Sequence, residues 1–213
     1  KGFKNPIPQV NGLAPKSNIK AWVDRKAFIH NLGHATAAYY GYLLHPDAVY
    51  LYQVLEDPEV LLFTRAVMLQ SAEILRSEYP DDFTAADLEV HIDDLISRFM
   101  NKSLRDTIFR VGMDLVRKLG ADDRFMGAIH LGMQHQMNYN LIMEAMSTGL
   151  FFKAVDEVGN RNPSDIVFLE SIDKDFDLTF TEILGYDAFY DLTVIEKLKA
   201  LYKYPNPFDQ ASH

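Results

Sequence analysis

Residues 24 to 42 read DRKAFIHNLGHATAAYYGY, and this stretch decides the fold because its apolar residues, Ile29 and Tyr40 among them, recur at helical spacing. We expect a long, mostly buried helix that begins near Ser17, a residue type favoured at helix N-caps, and ends before Pro46. The same stretch carries a lysine, an asparagine and two histidines. That is unusual hydrogen-bonding chemistry for a buried helix and makes it the candidate functional element.

Helical patterns also cover the rest of the chain. Asp57 can cap a helix that has Pro58 at its first position and runs to about Glu78. Thr84 begins another helix, which ends near Met100. The later helical patterns lie at 103–120, 123–152, 163–172, 180–185 and 187–202. Because no segment alternates convincingly as a strand, the sequence predicts an all-α, multi-helical fold.

The N-terminal residues have a different composition. Residues 1–16 contain three prolines and two glycines, which suit extended backbone and turns and disfavour helix. The chain does not begin with methionine, and it has no apolar core of a signal peptide at its start. We therefore expect 1–16 to be an extended linker that arrives from a preceding domain, and 17–213 to form one helical domain.

Composition limits the kinds of partner. The net charge of −9 argues against nonspecific binding to nucleic acid or to an anionic membrane. No apolar run approaches the roughly 18 residues of a membrane span. The absence of cysteine excludes disulfides and thiolate metal sites and suits a reducing compartment. These features favour a soluble, cytoplasmic protein that acts on a small molecule, with no nucleic-acid or membrane partner.

Three polar residues of the first helix are candidates for chemistry. On a regular α-helix, Lys26, His34 and Asn31 lie at roughly 0°, 80° and 140° around the axis, an arc wide enough to border one pocket. An amine, an imidazole and an amide supply the proton transfer and the donors toward oxygen that interconversion of an alcohol and a carbonyl needs. Structural interpretations stay open, namely an exposed lysine, a helix-bending asparagine and a satisfied core histidine.

The stretch RKAFIHNLGHATAAYYGY resembles the KxxxxNxxH signature of the polyol-specific long-chain dehydrogenases. Lys26, Asn31 and His34 match this signature residue by residue. The resemblance implies that Lys26 is the general acid/base and that Asn31 and His34 hold the reacting oxygen. We expect Lys26 to be partly buried on its helix, because desolvation is one way to make a lysine a base at neutral pH.

A second stretch, RFMNKSLRDTIFRVGMDLVRKL, resembles the next segment of the same family, in which an arginine and a lysine eight residues later contact substrate. These positions are Arg110 and Lys118 here. We expect both residues on roughly the same side of one helix, since eight residues make about two turns. The match departs at Lys102, where relatives commonly have proline, so the local turn should differ.

The resemblance covers most of residues 15 to 150 and implies a fold and a cofactor. The implied fold is a multi-helical domain of the 6-phosphogluconate dehydrogenase C-terminal type. The family uses NAD or NADP, bound mainly by an N-terminal Rossmann domain, and this sequence has no GxGxxG after a strand. We therefore expect the chain to be the helical substrate domain, without cofactor-binding residues of its own and inactive alone.

The stretch NLGHATAAYYG is most similar to the branch of the family that uses phosphorylated substrates. The resemblance implies interconversion of mannitol 1-phosphate and fructose 6-phosphate. Arg110, Arg117, Lys118 and Arg124 either bind the phosphate or form a solvated helix face, and both interpretations stay open. The alternatives are a mannitol 2-dehydrogenase or hexuronate reductase of the same family or, in a different class, a non-catalytic helical interaction module.

Metal binding is the main rival for the first motif. His30 and His34, at positions i and i+4, could ligate zinc from one helix face. The sequence lacks the glutamate of an HExxH motif there and offers no evident third ligand, so we expect no metal. His130 and His135 are five residues apart, which suits a helical metal site poorly and favours a packing role.

Overall fold

The computed structural model describes residues 18–203 and is all-α in that range, as the sequence predicts. Its α-helices are α1 (Ile19–Arg25), α2 (Leu32–Leu44), α3 (Leu51–Leu55), α4 (Pro58–Glu78), α5 (Ala85–Phe99), α6 (Ile108–Gly112), α7 (Leu115–Lys118), α8 (Arg124–Gln134), α9 (Asn140–Thr148), α10 (Pro163–Lys174), α11 (Phe176–Leu178) and α12 (Leu192–Lys203). Two 3₁₀ turns (Lys102–Leu104, Gly149–Phe151) and two π-helical turns (Lys26–Asn31, Thr179–Ile183) complete the helical elements. The predicted linker 1–16 and the predicted cap Ser17 lie outside the described residues.

Local capping signals place several helix ends. Asp57 accepts a hydrogen bond from the amide of Glu59, and Pro58 occupies the first helical position, so the predicted start of α4 is confirmed. Thr84 caps α5 through the amide of Asp87, also as predicted. The cap observed on α1 is Asn18, whose side chain accepts from the backbone of the first turn.

Helix α2 lies at the centre of the bundle and packs against α3, α4, α6 and α9. Its small residues allow this close approach. A Cβ added to Gly33 would lie 2.4 Å from Met68 Sδ, and one added to Gly41 would lie 2.5 Å from a methyl carbon of Val54. The buried apolar residues form one continuous cluster around this helix, so α2 and the π turn before it are held from several sides.

The helix predicted over 103–120 is wrong in its continuity. After the 3₁₀ turn, α6 and α7 are separate helices, and Asp114 between them has a left-handed backbone (φ 73°). The carboxylate of Asp165, on α10, accepts from the amides of Asp114 at 3.0 Å and Leu115 at 2.8 Å. This buried carboxylate supplies partners for the start of α7 from a distant part of the sequence, which favours a break over a continuous helix.

The segment predicted as helical over 123–152 also divides, into α8 and α9, and Gln136 between them has φ 54°. Its methionines behave as expected for core residues. Met126, Met143 and Met146 are buried in the central cluster. The methionine-rich composition of this segment therefore reflects packing of the two helices against the rest of the bundle.

We expect Gly112→Ala to lower the free energy of unfolding by about 1–3 kcal/mol, because small-to-large changes in a packed core force neighbours to move. A Cβ at Gly112 would lie 2.2 Å from the ring of Phe152, which is 2% exposed and packs edge-on against Tyr39 and Tyr42. Gly132→Ala is the matched control, since Gly132 also lies in a helix and its added Cβ would approach no atom closer than 3.1 Å. Urea denaturation of both variants tests this, and a Gly112→Ala protein as stable as the control would contradict it.

Candidate active site

The motif KxxxxNxxH does not lie on a regular α-helix. Residues Lys26–Asn31 form a π-helical turn between α1 and α2. The amide of Leu32 donates to the carbonyl of Ala27, five residues earlier, which is the hydrogen bond that defines such a turn. Wide turns of this kind inside α-helices occur frequently at functional sites.

Two side chains from neighbouring helices support the carbonyls of the π turn. Ser71, on α4, donates its hydroxyl to the carbonyl of Phe28 at 2.6 Å. Arg124, at the start of α8, donates to the carbonyl of Asn31 at 3.2 Å. These donors offer partners to carbonyl groups in the irregular turn, so the turn is stabilised by tertiary contacts.

The wide turn changes the angular positions of the three motif residues around the helix axis. A turn closed by i→i+5 hydrogen bonds advances by roughly 80° per residue instead of 100°. With Lys26 at 0°, Asn31 then lies at roughly 40° and His34 at roughly 340°. In this idealised geometry the three positions span an arc of about 60°, compared with about 140° on a regular helix.

Lys26 is exposed, so the prediction that its helix partly buries it is wrong in this structure. Within residues 18–203 its ammonium group makes no ion pair or side-chain hydrogen bond. Asn31 is half-buried at the end of the π turn. Its backbone is fixed by Arg124, whereas its side-chain amide has no hydrogen bond to the rest of the described chain. Both polar groups are therefore available to a ligand.

His34 is mostly buried and stacks on Phe99, with ring centroids 4.6 Å apart. Burial lowers the pKa of His34 to about 4, and the nearby carboxylate of Asp106 opposes that shift, so the imidazole is neutral at pH 7. Nε2 lies 3.3 Å from Asp106 Oδ2, an ion-pair distance. The contact lacks hydrogen-bond geometry, however, and Nε2 is buried without a hydrogen-bond partner among the described residues.

The two second-motif residues lie in different surroundings. Arg110, on α6, is exposed and forms a short ion pair with Asp106, the carboxylate that faces His34. Lys118, on α7, is only 5% exposed, and its ammonium donates to the carbonyls of Val111 (2.6 Å) and Met113. The premise that Arg110 and Lys118 share one helix is therefore wrong, although both remain candidates for substrate contact.

The buried position of Lys118 predicts a pH dependence of stability. Burial lowers the pKa of Lys118 from 10.5 to about 8, with smaller contributions from nearby arginines. Between pH 8 and 10.5 the unfolded chain binds more protons at this residue, so stability should rise with pH across that window. We expect the unfolding free energy of wild type minus that of Lys118→Met to increase by about 2–3 kcal/mol over the window. Urea denaturation at several pH values measures this, and a constant difference would contradict it.

The other predicted phosphate contacts, Arg117 and Arg124, are each paired with acidic residues. Arg117 pairs with Asp114 at 2.5 Å and with Asp123 at 3.3 Å. Arg124 is buried, pairs with Asp123 at 2.8 Å and supports the π turn. Lys102, at the position where the resemblance departs, pairs with Glu56 at 2.8 Å. Of the four predicted phosphate contacts, Arg110 is therefore the one that is both exposed and near His34.

The four histidines that were considered as metal ligands do not form a common site. His30 and His34 have ring centroids 6.1 Å apart, and burial together with Arg98, Lys26 and Arg124 lowers the pKa of His30. Across residues 18–203, no three His, Asp or Glu side chains are grouped so that they could hold a metal ion. His130 contacts Asp191 at 2.7 Å and His135 contacts Glu78 at 2.8 Å, so these two rings serve different packing contacts.

The three motif residues differ in exposure, since Lys26 is exposed, Asn31 is half-buried and His34 is mostly buried. A cavity of about 530 Å³ lies elsewhere, between residues 46–49, 107–109 and 154–157, and none of Lys26, Asn31 or His34 lines it.

None of the described helices is both long and apolar enough to cross a membrane.

Sequence reasoning missed three parts of this site, namely the π turn, its supports Ser71 and Arg124, and Asp106. The turn has no signal in the motif itself, because its supports come from α4 and α8. Asp106 had one usable signal. It lies four residues before Arg110, a spacing that brings an acid and a base together on a helical turn.

The fold matches part of a solved structure. The crystal structure of D-sorbitol dehydrogenase in substrate-free form aligns with this chain with a TM-score of 0.65, at 18% sequence identity. The alignment covers 88% of this chain and 39% of that chain. Residues of this chain therefore share the fold of part of that protein.

The family model of the mannitol dehydrogenase C-terminal domain matches residues 18–178, and the chain belongs to this family of polyol dehydrogenases. The mannitol-1-phosphate 5-dehydrogenase of Paenarthrobacter aurescens (strain TC1) is 32% identical over 150 residues, which cover 70% of this chain and 38% of that protein. The chain thus spans less than half the length of the relatives it matches. Its motif residues Lys26, Asn31, His34, Arg110 and Lys118 all lie inside the matched range.

Proposed function

We propose that this chain is the substrate domain of an NAD-dependent polyol-phosphate dehydrogenase that interconverts mannitol 1-phosphate and fructose 6-phosphate. The observation that carries the proposal is the π turn Lys26–Asn31. Idealised helix geometry with such a turn puts Lys26, Asn31 and His34 within an arc of about 60°. The 32% identity to a mannitol-1-phosphate 5-dehydrogenase supports the choice of substrate.

Each residue has a role that follows from its chemistry. In alcohol oxidation, neutral Lys26 takes the hydroxyl proton, and in carbonyl reduction its ammonium returns one. The amide of Asn31 donates to the oxygen on which negative charge develops. His34 is a neutral imidazole at pH 7, so it orients the oxygen through a hydrogen bond without adding a charge.

The nicotinamide cofactor, when bound, accepts or supplies the hydride. The sequence has no glycine-rich turn between a strand and a helix, and residues 18–203 contain no strand from which such a turn could start. The residues of this chain therefore do not fit the dinucleotide's pyrophosphate, and the proposal places the cofactor mainly on an N-terminal Rossmann domain. That domain would also cover the exposed surface around Lys26 and exclude water from it.

Arg110 is the proposed contact for the substrate phosphate. It is exposed, whereas Lys118 already donates to two carbonyls and has one N–H left for a ligand. Arginine binds phosphate through paired N–H groups, and Asp106 orients this guanidinium from one side. The proposal therefore assigns the anion mainly to Arg110 and gives Lys118 a supporting role in the same loop.

Turnover measurements on the full-length enzyme test the proposed substrate. We expect reduction of fructose 6-phosphate with a much higher kcat/KM than reduction of fructose or of hexuronates. A preference for fructose would favour a mannitol 2-dehydrogenase, and a preference for hexuronates a hexuronate reductase.

Calorimetry of the 213-residue chain with NAD should give no saturable binding. Absence of turnover on every one of these substrates would contradict the proposal.

A further inference from the structure

We infer that Asp106 is a positioning residue that holds His34 and Arg110 in fixed orientation to one another at the substrate surface. The inference rests on the proposed function. The carboxylate lies between two elements, with Oδ2 3.3 Å from His34 Nε2 on α2 and Oδ1 accepting from the guanidinium of Arg110 on α6. Among the described residues, Asp106 is the acidic side chain that contacts both His34 and Arg110.

The backbone of Asp106 is fixed independently of its side chain. Its carbonyl accepts from the amide of Leu51 at 2.9 Å, and the amide of Ile108 donates to the carbonyl of Val49 at 2.8 Å. These bonds flank the isolated antiparallel bridge that joins the segment before α3 to the start of α6. The carboxylate therefore projects from a rigid point, with its side chain 19% exposed.

The chemistry of the two partners explains what the carboxylate does. A neutral imidazole has one donor and one acceptor nitrogen, and an ionised carboxylate can only accept. Asp106 Oδ2, which lies 3.3 Å from Nε2, therefore favours the tautomer of His34 with the proton on Nε2. Nδ1 is then left as the acceptor for a substrate hydroxyl. Hydrogen bonds of this kind are often long without substrate and shorten in the complex.

The same carboxylate links the reacting end of the substrate to its anionic end. His34 is proposed to face the oxygen on the carbon that is oxidised or reduced, and Arg110 is proposed to face the phosphate. Because Asp106 contacts both, its loss should disturb the orientation of the oxygen and also the binding of the anion. A residue that only stabilises the fold would lower the amount of folded enzyme without changing kcat, KM or the tautomer of His34.

Two measurements test this role. In the full-length enzyme, Asp106→Ala should lower kcat by about 10- to 100-fold and raise KM for the sugar phosphate, because small misplacements of reacting groups have effects of that size. In the 213-residue chain, ¹⁵N chemical shifts of the His34 ring should report the Nε2–H tautomer, and Asp106→Ala should increase the Nδ1–H tautomer.

Asp94 provides a matched control, since it also precedes an arginine by four residues, at 3.9 Å from Arg98, and contacts no motif residue. Asp94→Ala should leave kcat, KM and the His34 tautomer unchanged. If Asp106→Ala does not fold, Asp106→Asn has the same size and takes its place. Kinetics equal to those of the control, or an unchanged tautomer, would overturn the inference. If the wild-type enzyme turns over no polyol, the proposed function fails and the tautomer measurement still decides the role of Asp106.

Discussion

A Lys26→Ala variant of the full-length enzyme is expected to lose about 10²- to 10⁴-fold in kcat while it folds normally, because a positioned acid/base contributes a factor of that size. The side chain is exposed in the described structure, so its removal leaves no cavity and no unpaired buried group. Steady-state kinetics at pH 7 and at higher pH, together with circular dichroism, measure the two parts of this prediction.

Two further variants separate proton transfer from electrostatics at this position. Lys26→Arg keeps the positive charge but cannot release its proton, so it should be about as inactive as Lys26→Ala. Lys20→Ala is the control on the same helical segment, since Lys20 is also exposed and contacts Asp24 and Tyr79 instead of the motif. If Lys26→Arg kept wild-type turnover, the role of Lys26 would be electrostatic and the assignment as base would be wrong.

An Asn31→Asp variant should lose about 10²- to 10³-fold in kcat, the size of effect seen when one donor to a developing oxyanion is removed. The substitution keeps the shape of the side chain. It replaces the amide donor with a carboxylate, which repels the charge that the amide is proposed to stabilise. The backbone support from Arg124 to the carbonyl of residue 31 is retained, so the π turn should persist.

The control for Asn31 is Asn101→Asp. Asn101 caps the 3₁₀ turn by accepting from the amide of Ser103 at 3.0 Å, and aspartate serves that purpose equally well. This variant should therefore keep wild-type kinetics and stability. A kcat of Asn31→Asp close to that of Asn101→Asp would show that Asn31 does not contact the reacting oxygen.

Helix ends with a local signal could be predicted from the sequence. Asp57 and Thr84 cap their helices through amides two or three residues away, so the few residues around each cap determine the boundary. The break before α7 depends on Asp165, which is about 50 residues away in the chain, and no local pattern carries that information. Helix α3, with five residues, is too short to give a periodic pattern.

The spacing of the motif identified the candidate residues but not their arrangement in the structure. The motif spacing picked out Lys26, Asn31 and His34, yet the assumption of 100° per residue gave the wrong arc because the π turn depends on contacts from α4 and α8. The expected partial burial of Lys26 was also wrong. Lys26 is exposed and Lys118 is buried, because tertiary packing decides which long side chain finds carbonyl partners.

The contacts that support the π turn couple the orientation of the motif residues to local opening of the helical bundle. The amide of Leu32 donates to Ala27 across the wide turn, while Ser71 and Arg124 hold neighbouring carbonyls from two other helices. Opening of the turn therefore requires separation from α4 and α8, which places it among the larger cooperative openings rather than in the fraying of one helix. Hydrogen exchange at the Leu32 amide thus reports, without any substrate, how long the π turn that carries Lys26 and Asn31 stays closed.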